Sequence, residues 1–228
     1  MNITVVSDLH GEFPDLSGGD VLIVAGDCTS NDSFPAWKLF FDWFQRQDYR
    51  KKIMVAGNHD NSCKNWCVSG TFTNEEYEQM GVEPDFFDYL CDSGLEFEGV
   101  NFWGSPWTLW FNGINPHCKA FTGSEGDLKK KFDLIPDDVD VLITHSPPYG
   151  ILDGVRDYHT GKIRHCGSVS LREKLEHVKP LYIVFGHIHE YGGNKVVLKT
   201  PGHDITCVNA SQLNEDYIFV ERPYDFSL

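Results

Sequence analysis

Apolar residues along this chain gather in short continuous runs rather than in long alternating ones. Residues 3–6, 21–25, 53–56, 141–144 and 182–185 are rich in β-branched and other apolar side chains, and each run has the length of a strand buried on both faces. Stretches of helical period lie near 34–45, 125–132 and 168–178. The first part of the chain therefore reads strand, loop, strand, helix, strand, the grammar of a βαβ unit. Between 61 and 121 the rhythm breaks into aromatics, short β-like pieces such as 99–103, and glycine and proline punctuation; this region is expected to close one side of a site. A loop of about twenty residues is predicted after His145, and 195–199, 205–209 and 217–220 predict antiparallel strands. No repeat, low-complexity segment or linker interrupts the pattern, so residues 1–228 are expected to form one α/β domain.

The polar residues that end these runs are chemically alike. They are Asp8-Leu9-His10, Gly26-Asp27, Gly57-Asn58-His59-Asp60, His145 and Gly186-His187-Ile188-His189. In an open α/β sheet the loops beyond the strand C-termini share one crevice, so residues far apart in sequence can converge there. Taken singly, an Asp or His at a strand end is a turn residue or a helix cap. The ordered set of carboxylates, amide and imidazoles instead predicts a two-metal hydrolytic site. Gly26, Gly57 and Gly186 are expected to let the chain turn sharply beside the ligands.

Charge and cysteine content narrow the partners. Lys and Arg number 19 against 34 Asp and Glu, a formal charge of −15, which argues against a protein that coats extended nucleic acid. A small anionic substrate stays compatible, because the local field of bound cations opposes the global one. The seven cysteines are dispersed, and Cys63 and Cys67 have no second pair to complete a thiolate metal site. This fits a reducing, cytoplasmic setting. No apolar run approaches the roughly 18 residues of a transmembrane helix, so no membrane partner is expected.

At its strand-end motifs the chain resembles the calcineurin-like metallophosphoesterase superfamily, whose signature is DxH, GD, GNH(D/E), H and GHxH in this order. Ser105-Pro106-Trp107 with Phe111-Asn112, Pro147-Pro148, Cys166-Gly167 and Asn209-Ala210-Ser211 are similar to the metallophosphoesterase-domain-containing branch, which is class III cyclic nucleotide phosphodiesterase-like. The resemblance runs from about residue 3 to 220. It implies a four-layer αββα double β-sandwich with the metals at the sheet edge. It also implies that Asp8, His10, Asp27 and His189 hold one divalent ion and that Asp27, Asn58, His145 and His187 hold the other, with Asp27 bridging. The donor set suits manganese, iron, zinc, cobalt or nickel, with manganese-supported activity expected. His59 is expected to face the substrate and to stabilise the phosphoryl group or protonate the leaving oxygen, with Asp60 setting its tautomer. The implied chemistry is in-line attack by metal-bound hydroxide without a phosphoenzyme.

For the substrate, the expectation is a small phosphodiester, with a cyclic nucleotide placed first. Trp107, Asn112 and Tyr149 are candidate substrate-binding residues, within a wider aromatic set of Trp66, Trp103, Trp110 and Phe111 that ordinary packing also explains. The alternatives are a phosphomonoesterase such as a protein phosphatase, a nuclease, and a metal-degenerate scaffold that binds a partner. The presence of both His187 and His189 favours catalysis over the scaffold.

Overall fold

The computed structural model describes residues 1–65, 73–83, 85–111, 117–157, 160–220 and 223–228. In chain order its elements begin β1 (Asn2–Val6), β2 (Gly19–Ala25), α1 (Phe34–Arg46), β3 (Tyr49–Val55), α2 (Asn74–Met80), β4 (Asp88–Tyr89), β5 (Ser93–Phe97), β6 (Val100–Ser105), β7 (Thr108–Leu109) and β8 (Thr122–Gly123). They continue with α3 (Glu125–Phe132), β9 (Val141–Thr144), β10 (Gly154–Arg156), β11 (Ile163–His165), α4 (Val169–Val178), β12 (Tyr182–Phe185), β13 (Lys195–Thr200), β14 (His203–Asn209) and β15 (Tyr224–Ser227).

Two sheets account for most strands, in the orders β15-β1-β2-β3-β4 and β13-β14-β12-β9-β6-β5. The centre of each is parallel; antiparallel strands close both edges of the second sheet and the β15 edge of the first, whose other edge strand, β4, runs parallel to β3. Side chains alternate between faces along each strand, and both faces are buried, which explains the continuous apolar runs. Val21, Ile23 and Ala25 of β2 meet Val141 and Ile143 of β9 and Val184 of β12 in a core between the sheets. Leu22 and Val24 face the opposite way, onto Trp37, Phe40, Phe41 and Phe44 of α1. Leu142, Ile183 and Phe185 cover the outer face of the second sheet with Leu128 and Phe132 of α3 and Leu171 and Leu175 of α4. The layers are helix, sheet, sheet, helix, the expected double β-sandwich.

The helices start where local chemistry permits. Ser33 caps α1, accepting from the Ala36 amide, and Pro35 occupies the first turn. Ser124 and Asp127 form a reciprocal capping box on α3. The Glu125 carboxylate accepts from the Ser168 hydroxyl at 2.6 Å and the Ser170 amide at 2.8 Å. It thereby joins α3 to the N-terminus of α4, where negative charge is favoured.

Two expectations need correction. Residues 217–220 form no named strand and make only an isolated bridge between Leu213 and Phe219. Tyr217, Ile218, Phe219 and Val220 are all exposed, so no face of that segment is buried to hold it in a sheet. The strand at this end is β15, whose Tyr224 and Phe226 pack on the inner core. The loop predicted after His145 contains the hairpin β10–β11. Among the described residues no helix is long and apolar enough to cross a membrane. Cys91 is disulfide-bonded, a feature that dispersed cysteine spacing does not announce.

Candidate metal centre

The parallel strands β1, β2, β3, β9 and β12 deliver their C-terminal ends to one edge of the sandwich. Asp8 and His10 follow β1, Asp27 follows β2, Asn58 and His59 follow β3, His145 follows β9, and His187 and His189 follow β12. The backbone there is contorted: Asp8, His10, Asp27 and His187 lie at φ 52°, 46°, 52° and 67°, a left-handed region that costs non-glycine residues about 1–3 kcal/mol each. Backbone bonds hold these turns, Asp8 donating to the Gly26 carbonyl at 3.0 Å and His10 to that of Asp27 at 3.1 Å. The neighbouring glycines are sterically required. A Cβ on Gly26 would collide with the His145 ring, and one on Gly186 with Asp8 and Ser7.

The seven expected ligands converge with His59. The Asp27 Oδ2 lies 3.3 Å from His145 Nε2, 3.6 Å from His10 Nε2 and 3.9 Å from His59 Nε2. Asp8 Oδ1 lies 3.1 Å from His189 Nε2, and Asn58 Oδ1 lies 3.2 Å from His145 Nε2. The His145 and His187 rings meet edge-on at 5.1 Å. Asp8, Asp27 and His145 are at most 2% exposed.

Charge at this edge is set by burial against close partners. Burial pushes the Asp27 carboxyl up, but His145, His59 and His10 outweigh it and hold Asp27 well below the usual range. Asp8 is likewise pushed up by burial and held low by His189. Burial lowers His10 to about 4, and burial with the neighbouring His145 lowers His187 to about 3, so both are neutral imidazoles near pH 7. His145 is lowered by burial but carried up to about 9 by Asp27.

This donor set fits divalent cations. Ligand atoms of Asp8, His10 and His189, of His10, Asp27 and His59, and of Asp8, Asp27 and His145 lie within 4.8 Å of one another in each group. Both ring nitrogens of buried His10 lack a hydrogen-bond partner among the described residues. A neutral buried imidazole without a partner, beside two ionised carboxylates, has the chemistry of a metal ligand.

A family model for calcineurin-like phosphoesterase matches residues 1–191. The chain belongs to the calcineurin-like phosphoesterase family. Its members are metal-dependent phosphoesterases, so the coarse chemistry of the centre is settled by membership together with the ligand-rich groups above. Metallophosphoesterase domain-containing protein 1 of Homo sapiens is 34% identical over 235 residues, which cover 96% of this chain and 68% of that protein. UPF0046 protein K07C11.7 of Caenorhabditis elegans is 30% identical over 233 residues, covering 99% of this chain and 74% of its own length. Among solved structures, TT1561 of Thermus thermophilus superposes with a TM-score of 0.59 at 15% identity, covering 92% of this chain and 90% of that one. That likeness concerns the fold.

Several expectations about the surroundings of this phosphoesterase centre change. Asp60 does not touch the His59 ring. Its carboxylate accepts from the backbone amides of Gly57 at 2.8 Å, Cys28 at 3.2 Å and Thr29 at 3.4 Å, tying the loops after β2 and β3 together. Burial and then Asp27 push its pKa up to about 8. The His59 Nδ1 instead faces the Ser30 carbonyl at 3.2 Å and the Cys118 thiol at 3.3 Å. Trp107 turns away from the pocket: its Nε1 donates to Asp92 at 3.0 Å, Lys131 lies over its ring, and Phe121 packs edge-on against it. Asp92 also accepts from Ser105 and Lys131, so the indole is part of a packed network. Tyr149 stands exposed against His165 and does not line the pocket of ≈180 Å³ that contains Asp27, Asn58, His59, His187 and His189. Asn112 and Trp66 lie outside the described residues.

Other residues join the centre without having been singled out for it. The Ser211 hydroxyl donates to Asp8 at 2.6 Å, orienting a carboxylate that also accepts from the His187 amide at 2.9 Å. Tyr217 sits over the His10 and His189 rings at 4.9 and 5.2 Å and lines the pocket. Ser211 belongs to the Asn209-Ala210-Ser211 similarity, which was its one visible signal. Tyr217 lies in the segment 217–220 that reads as a strand, a pattern that carries no site signal.

Proposed function

We propose that residues 1–228 act as one metallophosphoesterase domain and hydrolyse small phosphodiesters, with cyclic nucleotides the leading substrate class. In this reading Asp8, His10, Asp27 and His189 hold one divalent ion and Asp27, Asn58, His145 and His187 the other, manganese being the metal to test first. The pair of ions supplies an activated water and neutralises phosphoryl charge.

The observation that carries diester preference is the composition of the pocket. Its described lining around Asp27 includes no Lys or Arg, and Lys119 and Arg164 stand beyond it at Trp110 and Phe111. A phosphomonoester dianion favours a cationic clamp on its extra charge, whereas a diester monoanion needs none. His59 is placed to serve the leaving oxygen. The Ser30 carbonyl favours a proton on Nδ1, so a second proton would sit at Nε2, on the Asp27 side, and from there pass to a departing alkoxide. The backbone amide of His59 donates to Asp27 Oδ1 at 2.9 Å, fixing the two residues relative to each other.

Manganese-dependent hydrolysis of bis-p-nitrophenyl phosphate beside p-nitrophenyl phosphate tests the reading. Faster diester turnover, lost in Asp27→Ala, is the expected result, followed by turnover of a cyclic nucleotide. Faster monoester turnover would overturn it.

A further inference from the structure

A second cleft adjoins the pocket at Asp27. Thr108, Trp110, Phe111 and Lys119 line that cleft, and it shares Asn58 and His187 with the first pocket. The two sides of the mouth differ in charge. On the His189 side the described lining carries Glu190 and Glu215. On the Asn58 side Lys119 Nζ lies 5.2 Å from the centre of the Trp110 ring, and the Arg164 guanidinium lies 4.8 Å from that of Phe111.

Neither of these cations has a carboxylate ion-pair partner among the described residues, whereas Lys51, Lys131 and Arg172 elsewhere are paired. In a chain of formal charge −15, two cations held on the faces of the cleft-lining rings Trp110 and Phe111 place positive charge beside the cleft. Trp110 is 55% exposed, so the rim is open to an incoming group. Thr108 is fully buried, and its hydroxyl has no hydrogen-bond partner among the described residues. A buried hydroxyl without a partner lining a cleft is a donor that a ligand oxygen would satisfy.

We propose that this cleft is a subsite for a second anionic group, a carboxylate or phosphate borne on one ester arm of the substrate. Lys119 and Arg164 supply its counter-charge and Thr108 its hydrogen bond. The inference rests on the phosphodiesterase reading and refines it: among small phosphodiesters, cyclic nucleotides included, those that carry a second anionic group on one ester arm are expected to bind more tightly than those that do not. An arm bonded to a phosphoryl group near Asp27 passes Asn58 and His187 into the cleft, away from Glu190 and Glu215.

Calorimetric titration of the manganese-loaded protein with propylphosphonate and with 3-phosphonopropionate, which replaces the terminal methyl by a carboxylate, tests the subsite. The carboxylate is expected to tighten binding about tenfold, as charge-assisted hydrogen bonds allow. The ratio is expected to fall to within about twofold in Lys119→Gln/Arg164→Gln, and by about threefold in Thr108→Val. It is expected to persist in Lys174→Gln/Lys195→Gln, which removes equal charge on α4 and β13, and to shrink as salt rises. No preference in the unmodified protein, including no binding of either ligand, would overturn the proposal, as would a preference that survives in Lys119→Gln/Arg164→Gln. Calorimetry reads binding alone. A preserved preference beside absent diester turnover would therefore refute the phosphodiesterase reading and leave the subsite standing.

Discussion

The floor of the pocket, from Asp8 round to His189, hangs from the ends of five parallel strands buried on both faces. The mouth, at Thr108, Trp110, Phe111, Lys119 and Arg164, lies on or beside the two-residue strands β7 and β8 and the three-residue hairpin strands β10 and β11. On the floor every carboxylate is gripped by backbone amides or by an imidazole, and left-handed turns are locked by main-chain bonds. At the mouth, Trp110 and Arg164 are exposed and held by ring contacts. In the proposed reading, a chemical step that tolerates little displacement is built on buried strand ends, while substrate choice falls to loops that can vary without disturbing it.

The largest effect that would sharpen this contrast is expected from Gly186→Ala. Its methyl group would displace Asp8, and a shift of that kind should lower kcat about a hundredfold with loss of bound metal by elemental analysis. Asp60→Ala should destabilise the fold by about 3 kcal/mol in urea titration, because three buried backbone amides lose their acceptor. His59→Ala next to it should leave the urea midpoint nearly unchanged while lowering kcat. Equal stability losses in the two variants would break the division between support and chemistry.

Behind the mouth, Trp107→Ala should cost about 2 kcal/mol of stability from lost burial, without altering the KM ratio of two diesters. A selective rise in one KM would return Trp107 to the substrate. Tyr217→Ala should lower kcat/KM about fivefold through loss of its ring contacts with His10 and His189, with little change in urea midpoint.

The smallest effect lies at the α3–α4 junction. Burial pushes Glu125 up, but hydrogen bonds from Ser168 and Ser170 prevail and leave its carboxyl below the usual value. Its contribution to stability is therefore present above the unfolded glutamate pKa and lost as pH falls through the lower folded one. A urea midpoint that declines on acidification by the same amount in Glu125→Gln as in the unmodified protein would count against this contact.

The sequence already exposed the floor because its logic is local. An apolar run ends, a small residue lets the chain turn, and a ligand follows, as at Gly26-Asp27 and Gly186-His187. The mouth lacked such a marker. Trp107 and Trp110 are both tryptophans near a turn, yet Asp92 draws the first into a packed network and leaves the second at the cleft. Asp60 misled for a related reason: adjacency to His59 suggested contact with its ring, but the carboxylate reaches backbone amides across to residues 28 and 29.

The amino-acid order by itself determined the buried strands, the helical stretches and the residues gathered at the strand ends, through periodicity and strand-end chemistry that each segment carries alone. The double β-sandwich was legible only through the family resemblance that those motifs carry. Tertiary structure alone decided that Ser30 and Cys118 face the His59 ring, that Tyr217 roofs His10, and that Arg164 lies over the Phe111 ring. Each is a pairing between segments distant in sequence, and packing of the whole sandwich selects it rather than any local preference.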